Sequence, residues 1–185
     1  QLTGLTQKVG NYPGVTVDKK QGTCKLSSNH TAVVTDLPGT YSVNPTSIDE
    51  SIVLSSLLYA KDKEFPDVIV VVADVENLKR NLLLFAQVKD LEIPMVLALN
   101  MADQLERKGI YIDIPALEHE LKTKIVLISA RKNQGIDELK AAIENCTEVS
   151  KEYPLFSINH SMDTTYFKEV SAISNNYTRY ELWLM

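Results

Sequence analysis

Met95-Val96-Leu97-Ala98-Leu99-Asn100-Met101-Ala102-Asp103 opens as an unbroken apolar run and breaks into Asn-x-x-Asp. A short run with nothing polar in it reads as a strand buried on both faces, which is the condition of a parallel sheet. The same arrangement recurs on either side. Ala32-Val33-Val34-Thr35 leads into Asp36-Leu37-Pro38-Gly39, and Lys124-Ile125-Val126-Leu127-Ile128 leads into Ser129-Ala130. Val68-Ile69-Val70-Val71-Val72-Ala73 has the same character without a motif of this kind behind it. Taken singly, Asp-x-x-Gly and Asn-x-x-Asp mean no more than a turn and a helix cap. Their order, and their shared position behind a buried strand, point to a single site.

Segments of helical period lie between the strands. Ser47 with Glu50 has the form of a capping box and opens a helix through about Tyr59. Asn77 is placed to cap a second helix, with Leu78, Leu82, Phe85 and Leu91 along one stripe. Pro115 suits the first turn of a third, in which Leu117 and Leu121 share a face, and a fourth follows Gly135 with Ile136, Leu139, Ala142 and Ile143 turned inward. Strands alternating with helices imply right-handed crossovers and an α/β fold with a doubly wound, mostly parallel sheet. Ligands of such sheets bind beyond the carboxyl ends of the strands, where all the motifs fall.

The motif residues carry the chemistry of a guanine-nucleotide site. Asp103 is suited to accept the two N–H groups on the Watson–Crick edge of guanine, an edge on which adenine offers no matching pair; a site built for hydrogen bonds rejects the base that lacks them. Asn100 would contact the base and hold its loop, and Ser129-Ala130 would supply a backbone N–H to the guanine O6. Asp36, at a strand end, fits a carboxylate that holds Mg²⁺, while the Gly39 N–H reaches the γ-phosphate. Glycine suits that approach because it has no Cβ. Thr40 follows, where many regulatory GTPases have a water-orienting glutamine. A threonine is too short for that task, so slow intrinsic hydrolysis is expected. Thr16, twenty residues ahead of Asp36 in Gly10-Asn11-Tyr12-Pro13-Gly14-Val15-Thr16-Val17, is the candidate switch threonine, its hydroxyl on Mg²⁺ and its N–H on the γ-phosphate. The glycines and proline around it suit a mobile loop.

The phosphate-cradling G-x-x-x-x-G-K-[ST] is not among the 185 residues. A guanine-nucleotide site needs that loop ahead of the other motifs, so the first strand and the phosphate loop are expected ahead of Gln1, with Gly4 suited to cap the end of a helix. Without that strand, apolar surface on its neighbours is expected to be exposed.

Composition agrees with one globular core and a small appendage: 44% of residues are apolar, 23% charged, and the net charge of −5 argues against a nucleic-acid surface. Cys24 and Cys146 are the only cysteines and have no metal-type pairing, which suits a reducing cytosol and a role as small buried hydrophobes. There is no apolar stretch of 18 residues, so no membrane span is expected in this chain. Ser150-Lys151-Glu152-Tyr153-Pro154 reads as a linker, dividing a nucleotide-binding domain at 1–149 from two short amphipathic helices within 150–185.

Val9 to Val17, Asp36-Leu37-Pro38-Gly39-Thr40-Tyr41-Ser42, Asn77-Leu78-Lys79-Arg80-Asn81-Leu82 and Ala98 to Asp103 together resemble the amino-terminal G domain of the bacterial ferrous iron transport protein B family. Met101, where most GTPases have lysine, is a trait of that family. The resemblance implies a P-loop GTPase-type fold, GTP or GDP and Mg²⁺ as cofactors, and a position on the cytoplasmic face of the bacterial inner membrane. It also implies fusion to a transmembrane iron-permeation domain, with 150–185 forming part of a helical domain. Members of the family can be activated by K⁺ through an asparagine of the phosphate loop, a position this sequence does not contain, so K⁺ stays open, as does assembly into a homo-oligomer. Two other readings also stay open: a nucleotide-free interaction module of the same fold, and a soluble ribosome-associated assembly GTPase. The acidic balance and the Asn77 to Leu82 run count against the latter.

Overall fold

The computed structural model describes residues 2–3, 7–11, 18–40, 48–58 and 65–146. The proposed helices of 150–185 and the Ser47 cap lie outside the described residues, as does Thr16. Among the described residues, six strands and five α-helices follow in the order β1 (Gln7–Asn11), β2 (Asp18–Lys25), β3 (Thr31–Asp36), α1 (Ile48–Leu58), β4 (Ile69–Asp74), α2 (Leu78–Lys89), β5 (Met95–Asn100), α3 (Ala102–Lys108), α4 (Ile114–Leu121), β6 (Lys124–Leu127) and α5 (Ile136–Glu144).

The strands make two three-stranded sheets. β4, β5 and β6 are parallel, with β5 central and Asp74 in register with Asn100. β1, β2 and β3 are antiparallel, with Gly22 opposite both Gln7 and Val34. The Ala32 to Thr35 run is therefore not a strand of the parallel sheet, and it is not buried on both faces. It ends the antiparallel sheet, with Val33 72% exposed, and β4 ends the parallel sheet with Val72 59% exposed. Gly10 and Asn11, read from sequence as part of a loop, lie on β1.

The β5 run is buried from Met95 to Leu99, and alternate residues serve opposite faces, as a strand requires. Met95, Leu97 and Leu99 join Val71 and Ala73 of β4, Phe85 and Val88 of α2, and Val53 and Leu57 of α1 in the larger core. Leu117 and Leu121 of α4 pack on the same side. Val96 and Ala98 meet Val126, Ile128 and Leu139 of α5 on the other, where Ala142, Ile143, Cys146 and Leu2 also pack. Helices on both faces of the parallel sheet are the doubly wound arrangement. Leu37, just past β3, packs against the larger core and ties the antiparallel sheet to it. A second tie runs from the β2–β3 turn to the end of α5: Ser27 Oγ donates to Glu144 Oε1 at 2.7 Å, and His30 Nδ1 pairs with the same oxygen. These two contacts hold the Glu144 carboxyl below its usual range, the hydroxyl foremost.

The helix starts differ in detail from the sequence expectation. Asn77 makes no side-chain cap; Asp74 takes that role, accepting from the Glu76 N–H at 2.8 Å to start a 3-10 turn, Val75–Asn77, that leads into α2. Asp113 caps α4 through the Ala116 N–H at 3.0 Å, with Pro115 in the first turn. At the end of the sheet away from the motifs, Lys89 is 8% exposed. Its ammonium donates to the carbonyl of Leu121, to that of Lys122 at 3.0 Å and to Thr123 Oγ1 at 3.1 Å, closing the carboxyl end of α4.

Candidate functional site

The site grows from the carboxyl ends of β5 and β6. Because these strands are parallel and adjacent, the loops that leave them emerge side by side. The loop after β5 is a single residue, Met101, in the left-handed region at φ 67°, after which α3 begins. A β-carbon is disfavoured there, so the turn is held by its neighbours. The Ala102 N–H donates to the Ile128 carbonyl at 3.0 Å, and the Ile128 N–H to that of Leu99 at 2.8 Å.

The loop after β6 is tighter. Ser129 and Gln134 exchange backbone hydrogen bonds at 3.1 Å each, which pinches the intervening residues into a turn. Gly135 closes it at φ 72°, where a β-carbon would stand 2.2 Å from the Leu127 carbonyl oxygen. Only glycine fits both that backbone and that approach. α5 starts at the next residue.

These two loops lock onto each other through side chains. Asn100 Oδ1 accepts the Ala130 N–H at 3.1 Å, and Ser129 Oγ, on a residue only 1% exposed, donates to Asp103 Oδ1 at 2.8 Å. That hydroxyl holds the Asp103 carboxyl below its ordinary range, with Lys132 and Arg131 adding smaller electrostatic help. Asp103 is therefore an oriented carboxylate at the first turn of α3, partly open to solvent. The other carboxylate oxygen, Oδ2, accepts the Gln104 side-chain amide at 3.2 Å.

The structure thus brings Asn100, Met101, Asp103, Ser129 and Ala130 into one cluster. It uses two of them differently from the sequence expectation. The Ala130 N–H, expected to face guanine O6, is directed at Asn100, and the Ser129 N–H is taken by Gln134. Ser129 contributes its hydroxyl instead. Asp36, Gly39 and Thr40 stand at the carboxyl end of β3, in the other sheet; Asp36 and Gly39 are exposed and Thr40 is half-buried. Among the described residues, a β-carbon on Gly39 would meet nothing within 4 Å, so none of them blocks approach to its backbone. The residues that sequence reasoning missed are Gln104, whose polarity on a helix gave no signal, and Asp74, which gathers Asn77 and Asn81 of the quoted run. Asp74 Oδ2 accepts the Asn77 amide at 2.8 Å and its carbonyl accepts that of Asn81 at 3.4 Å, beside Asn100 in the sheet register.

The model of ferrous iron transport protein B matches residues 1–143. The chain belongs to the ferrous iron transport protein B family. The Fe(2+) transporter FeoB of Leptospira biflexa serovar Patoc is 40% identical over 157 residues, which are 85% of this chain and 22% of that protein. The chain spans about a fifth of the length of the curated relatives it matches, 22% of the Leptospira biflexa protein and 18% of the Salmonella typhimurium one. The cytosolic domain of L. pneumophila FeoB matches with a TM-score of 0.82 at 36% identity, covering 98% of this chain and 70% of that one. The cytosolic domain of the T. maritima FeoB iron transporter in GMPPNP form gives 0.80 at 31%, covering 97% and 69%. The fold is the P-loop GTPase-type α/β fold of this family's G domain, as the motif spacing implies. Among the described residues, no helix is long and apolar enough to cross a membrane.

Proposed function

We propose that this chain is the guanine-nucleotide-binding and GTP-hydrolysing part of a bacterial Fe(II) uptake protein, acting on the cytoplasmic face of the inner membrane and regulating or driving transport through a fused membrane region. The observation that carries the reading is the Asp103 carboxylate, oriented by the buried Ser129 hydroxyl and flanked by the Asn100–Ala130 lock. An ionised carboxylate at that position presents two acceptors in one plane, which match the paired N–H donors of guanine and find no such pair on adenine. The GMPPNP form of the T. maritima neighbour supports the assignment of a nucleotide to this fold.

In this reading Asn100, Met101, Asp103, Ser129 and Ala130 form the base pocket. Asp36 and Thr16 are the residues that would hold Mg²⁺, a hard cation suited to carboxylate and hydroxyl oxygens; Asp36, exposed at a strand end beside the open Gly39 backbone, fits such a donor set. When bound, the ion would neutralise charge developing on the phosphates. In this reading the Gly39 N–H would approach the terminal phosphate, and Thr40 would take the position from which an attacking water is oriented, with too short a side chain to do so as glutamine does. Turnover on these residues alone is slow. Residues 1–149 are assigned to the G domain and 150–185 to part of a helical domain. K⁺ has no ligand assigned in this chain.

The test is a calorimetric comparison of GDP and ADP with the full-length protein in Mg²⁺. GDP should bind at least about 100-fold more tightly, the discrimination expected when a built hydrogen-bonding edge is left unmatched. Equal affinity for the two, or none for either, would leave the fold as an interaction module without base recognition.

A further inference from the structure

Gln104 sits beside the base-reading carboxylate and makes a contact that helix geometry does not supply by default. Successive side chains on an α-helix do not face each other. Yet the Gln104 amide folds back at the first turn of α3 to donate to Asp103 Oδ2 at 3.2 Å, while its own N–H is used by the Met101 carbonyl at 2.8 Å. The two carboxylate oxygens are therefore engaged in different ways. Oδ1 takes the hydroxyl of Ser129, a buried residue whose backbone is fixed by its paired bonds to Gln134. Oδ2 takes an N–H from a half-buried, long side chain with free rotation about several bonds. Guanine needs both oxygens, because its N1–H and exocyclic amino N–H run parallel. The Gln104 amide is the same kind of donor on the same acceptor.

We propose that Gln104 is an affinity- and specificity-setting residue of the guanine site, its side-chain amide held on Asp103 Oδ2 as an internal surrogate for the base, so that it competes with the nucleotide for that oxygen. The inference rests on the guanine-binding reading above. A competitor built into the site lowers apparent affinity in proportion to the fraction of time it is engaged. It also offers the carboxylate a partner as the base departs, which favours release. Inosine lacks the exocyclic amino group and presents a single N–H, which can pair with Oδ1 beside the Ser129 hydroxyl and leave Gln104 on Oδ2. Gln104 should therefore narrow the preference for guanine over hypoxanthine.

The experiment measures GDP and IDP binding and dissociation in the full-length protein and in its Gln104→Met and Gln104→Leu variants, with Asp103→Asn alongside. Both Gln104 variants should bind GDP about three- to tenfold more tightly, mostly through slower dissociation, while IDP affinity changes by less than about twofold. Thermal melts identify a variant that fails to fold, and the other then carries the result. Unchanged or weaker GDP binding in the Gln104 variants, with Asp103→Asn still losing GDP, overturns the role of Gln104 and leaves the base site standing. An equal gain for IDP also overturns it, since the effect would not pass through the amino group. Unaltered GDP affinity in Asp103→Asn would remove the base site itself, and this inference with it.

Discussion

Gly135 and Asp90 show how single residues constrain this chain for opposite reasons. At Gly135 the demand is steric: the left-handed φ of 72° and the Leu127 carbonyl 2.2 Å from a would-be β-carbon exclude any side chain. Gly135→Ala should destabilise the fold by roughly 2 kcal/mol or more, because the clash is with backbone and cannot relax by rotation. Urea denaturation measures it, and a loss below about 0.5 kcal/mol would mean that the loop shifts freely. At Asp90 the demand is electrostatic. One carboxylate oxygen is buried without a partner among the described residues, and burial, aided by the Glu92 charge, pushes its pKa up from 3.8 to about 6. A carboxyl whose folded pKa is raised contributes stability that is complete below the unfolded value and is lost as pH rises through the folded one. Asp90→Asn should therefore stabilise the protein above about pH 6 by about 1 kcal/mol, allowing for solvent around the rest of the side chain, and change little below about pH 4. Melts at pH 4 and pH 7.5 test the sign.

At the scale of elements, the strands that sequence reveals are those whose chemistry is uniform. β4, β5 and β6 are written mainly in β-branched and aliphatic residues because helices pack on the sheet, most completely over β5, while Val72 of β4 and Leu127 of β6 stay exposed; the motifs mark where β5 and β6 end. β1 and β2 escape such a reading. β2, Asp18–Lys25, holds one buried residue among those whose burial is described, Cys24, so its pairing with β1 and β3 rests on backbone hydrogen bonds rather than on an apolar period. β3 is apolar enough to be found but not to be oriented, since its run reads the same whether it lies in a parallel or an antiparallel sheet. α3 is too short and too polar to announce itself, with Leu105 its only buried residue. In the site, Asn100, Asp103 and Ser129 are legible because each follows a buried strand. The Ser129 hydroxyl is not, since its role depends on how two loops far apart in sequence meet, nor is Gln104, whose amide folds back onto its neighbour against the default spacing of a helix. The end of α4 was equally hidden, its carbonyls closed by Lys89 from α2. Lys89→Met, which keeps length and loses the donor, should cost roughly 1–3 kcal/mol by leaving those acceptors unpaired. A melting temperature unchanged from the parent would show that water serves them as well.

At the scale of the molecule, the parallel sheet and the antiparallel sheet hold different parts of the proposed chemistry. The base pocket stands on β5 and β6, and the Asp36 to Thr40 segment stands on β3. Leu37 in the larger core, and the Ser27 and His30 contacts to Glu144, connect the two. Those contacts join the β2–β3 turn to the last turn of α5, beyond which the chain runs on toward 150–185. Nucleotide choice in this molecule passes through one residue, the Asp103 carboxylate. Replacing it with an amide exchanges an acceptor for a donor, which suits the carbonyl that xanthine carries in place of the guanine amino group. The decisive measurement is the competition of GDP and xanthosine diphosphate for the Asp103→Asn variant of the full-length protein. The account predicts that GDP binding weakens by at least about tenfold and that xanthosine diphosphate becomes the preferred ligand. A variant that still binds GDP as tightly as its parent and ignores xanthosine diphosphate would contradict it.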